Sequence, residues 1–193
     1  INIIGDYCLK SFLSKISKRK HYIPKFLKEI MEKRVYDAIV IGSGSGLEIS
    51  SEAASLGMKV AVIEKSAFGG TCLNKGCVPS KILIHIADIA EVIKKSGSFG
   101  IKSKFQGADW NKIQERVWNL IDKDAREIEK ANKEIKNIEV YNGTAKFIDK
   151  KTLEVNNKII SADKIFICAG ARPNIPKIEG LDKVKYYTSE NIM

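Results

Sequence analysis

Residues 36–65 read YDAIVIGSGSGLEISSEAASLGMKVAVIEK. YDAIVIG is a short β-branched run that ends in glycine, the pattern of a strand buried on both faces of a parallel sheet. SGLEISSEAASLG follows with alanine and serine at helical spacing and Gly57 as its stop. MKVAVIEK is a second buried strand. Strand, glycine turn, helix and strand within about thirty residues form a βαβ unit, whose crossover is right-handed. Its turn, Gly42-Ser43-Gly44-Ser45-Gly46-Leu47, matches the first two glycines of the dinucleotide fingerprint Gly-x-Gly-x-x-Gly. The third position holds Leu47, with Gly46 one place early, so the helix must meet the strand by a slightly different contact. Glu64 ends the second strand about twenty residues on, where a carboxylate accepts hydrogen bonds from ribose hydroxyls. The alternative for this unit is a βαβ with a glycine turn and no nucleotide.

Directly after it comes FGGTCLNKGCVPSK, residues 68–81, which holds two of the four cysteines. A zinc site needs about four ligands, usually two such pairs. Here Cys8 and Cys168 are isolated, and the two histidines, His21 and His85, stand at no ligand spacing. A structural crosslink between Cys72 and Cys77 would close too short a loop to restrict the unfolded chain much. Five residues of ideal helix rise about 7.5 Å, beyond the usual Cα separation of about 4.4–6.8 Å in a disulfide. The segment must therefore bend to join its sulfurs. Gly69, Gly70 and Gly76 give it that freedom, and Pro79 can begin a regular helix afterwards. A bond closed in a distorted short loop is a candidate for easy reduction.

The chain has 193 residues and a formal net charge of +10, enough length for a core of its own. No run approaches the roughly 20 apolar residues of a bilayer span. Residues 1–30 carry seven Lys/Arg against two Asp/Glu, and the remaining residues carry 26 against 21. The globular part is only mildly basic and its basic stretch lacks interleaved aromatics, so neither a nucleic acid nor a membrane is expected as partner. Residues 1–30 read as a basic extension, disordered or non-native, and Met31 stands one short lead-in before the first strand. The location expected is cytoplasmic; the alternative is an organelle, with residues 1–30 as a transit peptide.

SKILIHIADIAEVIKKSG (80–97) and ADWNKIQERVWNLIDKDAREIEKANKEI (108–135) have helical apolar spacing and predict two long antiparallel helices. His85 is expected to be structural among aliphatic neighbours, and Trp110 and Trp118 to be core or interface anchors. Residues 141–176, YNGTAKFIDKKTLEVNNKIISADKIFICAGARPNIP, read as short strands joined by polar turns, with Cys168 as a buried strand residue. The fold class predicted is α/β: a Rossmann-like domain with a parallel sheet, two long inserted helices and a small antiparallel β-meander.

GGTCLNKGCVPSK closely resembles the active-site signature of the FAD-dependent class I pyridine nucleotide–disulfide oxidoreductases, and the likeness runs from about Tyr36 to residue 193. It implies FAD, with Gly42 and Gly44 at the pyrophosphate, Glu64 at the adenosine ribose and Thr71 at the phosphates. Lys81 is implied to lie near the flavin, and Ala145 and Gly170 to be backbone contacts. Cys168-Ala169-Gly170-Ala171-Arg172-Pro173 resembles the family's Ala-Thr-Gly-Ser-x-Pro stretch, with Ala169 in the place of threonine. By the same resemblance Cys72 and Cys77 form a redox disulfide, Cys77 being the flavin-facing thiolate and Cys72 the thiol that exchanges with substrate. Electrons then pass between NAD(P)(H), FAD and that pair. Dihydrolipoamide dehydrogenase is the favoured activity; mercuric and mycothione/glutathione-type reductases, or a non-catalytic flavin-binding fragment, are the alternatives. The partners implied are a small dithiol or disulfide and, in full-length form, a second copy as homodimer. The family's NAD(P) and dimerisation domains have no counterpart in these residues, so 31–193 is expected to be the N-terminal part of an FAD-binding domain and inactive alone.

Overall fold

The computed structural model describes residues 34–193. The expectations for residues 1–30, with Cys8 and His21, lie outside the described residues. Strands β1 (Arg34–Ile41) and β2 (Val60–Glu64) flank helix α1 (Gly46–Ser55). The short helix α2 (Gly70–Lys75), the long helices α3 (Cys77–Lys95) and α4 (Trp110–Glu134), and strands β3 (Ile138–Asn142), β4 (Lys146–Asp149), β5 (Thr152–Val155) and β6 (Lys158–Ile167) follow. The six strands form one sheet in the order β3-β2-β1-β6-β5-β4.

β1 pairs in parallel with β2 and β6, and β2 in parallel with β3. The small antiparallel meander expected from the sequence is formed by β4, β5 and β6 and is continuous with this sheet. β6 is ten residues long: its beginning pairs antiparallel with β5 while the stretch from Ile160 on pairs with β1. The parallel strands are apolar on both faces because both faces are covered. Ala38, Val40, Val60 and Val62 pack towards Ala53 and Ala54 of α1. Ile39, Ala61 and Ile63 pack on the opposite face with Leu153, Val155 and Ile160 of the meander.

Local signals in the chain set the helix ends. Gly57 has φ +81°; its N–H donates to Ala54 O (3.0 Å) and that of Met58 to Ala53 O (3.1 Å), a Schellman ending for α1. Asp109 caps α4 by accepting from the Lys112 N–H at 3.2 Å. α3 begins two residues before Pro79, which falls in the first turn and leaves no intrahelical hydrogen bond unmade. α3 and α4 pack on each other through Val78, Ile82, Val117 and Ile121, and Leu73 of α2 is buried in the same cluster.

The displaced glycine of the fingerprint has a packing role. A Cβ on Gly46 would lie 2.7 Å from Val40 Cγ1 and 3.0 Å from Cys168 Cβ, so Gly46 itself permits the close helix–strand contact expected of the third glycine. Leu47, one place on, packs into the α1-side core. Gly46→Ala should therefore lower stability by about 1–3 kcal/mol through overpacking, read as a lower urea midpoint. Gly97→Ala, where a Cβ would meet open space, should leave the midpoint within about 0.5 kcal/mol.

Candidate functional site

The parallel strands β1, β2, β3 and β6 end at one edge of the sheet, where open α/β folds bind ligands. Backbone hydrogen bonds continue the sheet into the loops beyond: Gly42 N to Ile63 O and Cys168 N to Ile41 O at 2.8 Å, and Gly143 N to Glu64 O at 2.7 Å. Gly42 has φ +107°, and a Cβ there would fall 2.2 Å from the Cys168 carbonyl oxygen. Only glycine meets both demands. The same loop touches the cysteine segment: Gly69 N donates to Ser43 O at 3.1 Å. A Cβ on Gly70 (φ +65°) would lie 2.6 Å from Gly44 Cα.

Glu64 is half-buried at the end of β2. Its Oε2 accepts from the Ser43 N–H (2.9 Å) and hydroxyl (2.8 Å). Its Oε1 accepts from the Ser66 N–H (2.9 Å) and hydroxyl (3.0 Å). Burial works to raise its pKa, but the four donors outweigh burial and hold the carboxyl below its usual range. These bonds fill about four acceptor positions on the carboxylate. Ribose hydroxyls could bind by displacing the two serine hydroxyls, which rotate freely, while the two backbone bonds keep the carboxylate aimed.

A cleft of about 330 Å³ opens at this edge. Five of the expected cofactor contacts line it: Gly42, Glu64, Thr71, Ala145 and Gly170. Gly44 does not; it lies against Gly70, which does. Lys81 does not line it either. It lines a second groove, of about 400 Å³, with Cys77, His85, Arg116 and Leu120.

The chain bends between the two cysteines as expected. Cys72 lies in α2, Gly76 breaks the helix with φ −139° and ψ −106°, and Cys77 opens α3. Both are exposed thiols. The neighbouring Cys77 side chain raises the pKa of Cys72 above its usual range. Two exposed thiols on either side of a helix break can close to a disulfide by losing two electrons and two protons.

His85, expected to be structural among aliphatic neighbours, is exposed on the groove beside Cys77, because it falls two turns along α3 from that residue, on the same face. Two expectations need correction. Cys168 is not a buried strand residue: β6 ends at Ile167, and Cys168 is half-buried in the cleft wall. Trp110 is no core anchor, being 55% exposed at the first position of α4, whereas Trp118 packs against the α2–α3–α4 cluster.

Other residues of the site escaped notice in the sequence. Ser43 and Ser66 orient Glu64, and Asn74 lines the cleft. Lys75, between the cysteines, pairs with Glu190 at 2.7 Å, and Arg172 approaches the same carboxylate at 3.8 Å. That Lys75 bond holds the Glu190 carboxyl below its usual range. Ser43 occupies the variable place between two fingerprint glycines, the one legible signal among these. The contacts of Ser66 and Asn74 are local but depend on the shape of the turn, and the Lys75–Glu190 pair spans more than a hundred residues of sequence.

Residues 36–193 match the family model described as pyridine nucleotide-disulphide oxidoreductase. The mercuric reductase of Lysinibacillus sphaericus is 34% identical, the match covering 82% of this chain and 29% of that protein. The dihydrolipoyl dehydrogenase of Bacillus subtilis is 31% identical over 82% of this chain and 36% of its own length. The solved Cu(II) complex of the HOCl-induced flavoprotein disulfide reductase RclA from Escherichia coli superposes with a TM-score of 0.64. It is 29% identical and covers 77% of this chain and 32% of that one. The chain thus spans about a third of the length of the proteins it matches. A dinucleotide cleft meeting a bent two-cysteine segment is the arrangement that this match extends across, and the chain belongs to the pyridine nucleotide–disulphide oxidoreductase family.

Proposed function

We propose that this chain is the FAD-binding, disulfide-bearing part of an enzyme that moves two electrons between NAD(P)(H) and a small dithiol or disulfide. The observation that supports this best is the contact of the Gly42–Gly44 turn with Gly69 and Gly70, which joins the segment carrying Cys72 and Cys77 to the loop of the cleft. Family membership implies FAD, and the residues present fit it. Glu64 is an ionised acceptor for ribose hydroxyls, and Gly42 keeps side chains off the loop that would face the pyrophosphate. Thr71, Ala145 and Gly170 line the cleft, and Lys81 lines a second groove with Cys77, the residue that the resemblance turns towards the flavin. FAD would supply two-electron exchange between a nicotinamide and a neighbouring disulfide.

The chain's own residues account for the rest of the reaction. Reducing the Cys72–Cys77 disulfide takes two electrons and two protons and leaves two thiols. Cys72, exposed on α2, then attacks a substrate disulfide, and Cys77 resolves the mixed disulfide by re-forming the internal bond as the second substrate thiol leaves. In the opposite direction a substrate dithiol is oxidised. The NAD(P) domain, the homodimer and a cytoplasmic location complete the proposal. Dihydrolipoamide dehydrogenase is the member we favour, on the wording of GGTCLN-x-GC-x-PSK; identities of 31–34% to dihydrolipoyl dehydrogenase and mercuric reductase do not separate the two.

Two experiments test this reading. In the full-length enzyme, Cys72→Ser should show a long-wavelength absorption without reductant, from the Cys77 thiolate left facing the flavin, and Cys77→Ser should lack it. Either change should abolish disulfide turnover while sparing NAD(P)H oxidation by artificial acceptors; turnover by both variants would remove the pair from the mechanism. Glu64→Gln should weaken FAD binding about tenfold or more, the loss of charge-assisted hydrogen bonds, measured by flavin fluorescence. Because the folded pKa of Glu64 is lowered, its contribution to stability is present above the unfolded carboxyl pKa, about 4.3. It is lost as pH falls through the folded value. The stability gap between wild type and Glu64→Gln should therefore be full at pH 7 and close on acidification below about pH 4.

A further inference from the structure

α2 has six residues, Gly70–Lys75. A helix that short has no stability of its own, yet it carries Cys72. Two side chains hold it. Leu73 is buried among Val117, Ile121 and Ala125, which fixes one face. Asn74, on the next position, turns its amide back over the entry to the helix. Its Nδ2 lies 2.9 Å from Phe68 O, 3.0 Å from Gly70 O and 3.4 Å from Ala67 O. Three carbonyls converge there because Gly69 and Gly70 both take left-handed φ, +100° and +65°. Converging carbonyls repel one another unless a donor sits between them, and of the two polar atoms of the Asn74 side chain the amide nitrogen is the donor. The turn cannot relax by other means: Phe68 is 1% exposed, Gly69 is closed against Leu73, and Gly70 against Gly44.

We propose that Asn74 is a positioning residue for the redox pair: its amide locks the 67–70 turn, and so holds Cys72 of α2 against Cys77 of α3. The inference rests on the reading of Cys72 and Cys77 as a redox pair. Its consequence has a definite sign. Holding the two sulfurs together raises the effective concentration of one for the other, which favours the disulfide over the dithiol. Loosening α2 lowers that concentration, so the pair becomes easier to reduce.

The test is equilibration of the protein in glutathione buffers, with the two cysteines trapped by alkylation and counted by mass spectrometry. The reaction followed is protein disulfide plus two glutathione to protein dithiol plus oxidised glutathione. Asn74→Ala should shift the equilibrium about tenfold towards the dithiol, about 30 mV for a two-electron couple. Asn74→Ser keeps a hydroxyl able to bond the Gly70 carbonyl one turn earlier and should shift it about threefold. Leu153→Ala, which empties part of the core away from the site, should destabilise the fold and leave the redox equilibrium unchanged. If Asn74→Ala does not fold, Asn74→Ser against wild type carries the same test. A wild-type pair that forms the disulfide, with variants matching it within twofold, would overturn the role of Asn74 alone. A wild-type pair that never forms the disulfide would overturn the proposed function together with this inference.

Discussion

Two glycine turns touch, and the site follows from that contact. Gly44 and Gly70 approach so closely that a single added methyl would fall 2.6 Å from backbone, and the Gly69 N–H donates to Ser43 O. One turn ends β1 and belongs to a nucleotide-binding loop; the other begins the segment with Cys72 and Cys77. Were Gly70 to carry a side chain, it would force the loop of the cleft and the cysteine segment apart. The close approach lets a chain of ordinary βαβ construction bring a two-cysteine segment up to the loop of its cleft.

The elements around this contact differ in how firmly they are held. Ala38–Val40 of β1 and Val60–Ile63 of β2 are apolar and fully buried, which makes this part of the cleft floor rigid. α2 is a turn and a half of helix between two glycines and depends on Leu73 and the Asn74 amide for its place. The Lys75–Glu190 pair adds a tie to the segment after Thr188, although an ion pair this exposed contributes little, about 0–1 kcal/mol. A rigid floor with a short, side-chain-held helix above it suits chemistry in which one bond between two sulfurs opens and closes while the nucleotide site stays fixed.

Much of this was legible in the chain. Periodicity and glycine placement located β1, α1 and β2, and Gly57 ends α1 as its position predicted. The bend between Cys72 and Cys77 followed from helix rise against disulfide reach, and Gly76 makes it. The features not foreseen are of two kinds. Gly46 takes over the packing of the missing third glycine because Cys168 and Val40 crowd that spot, and Cys168 is more than a hundred residues away in sequence. The exposure of His85 depends on which face of α3 meets α4, which helical spacing alone does not decide when both sides carry aliphatics. Ser43 and Ser66 looked like turn residues, and only the geometry of Glu64 shows them as its donors.

The central claim is that one site holds the adenosine end of FAD on Glu64 and a redox disulfide at the break between α2 and α3. A crystal structure of the oxidised protein grown with FAD tests it most directly. The account predicts ribose hydroxyls on the Glu64 carboxylate, with the Ser43 and Ser66 backbone bonds retained, and continuous density between Cys72 and Cys77 across Gly76. FAD bound away from the Gly42–Glu64 cleft, or two sulfurs that remain unbonded under oxidising conditions, would contradict it.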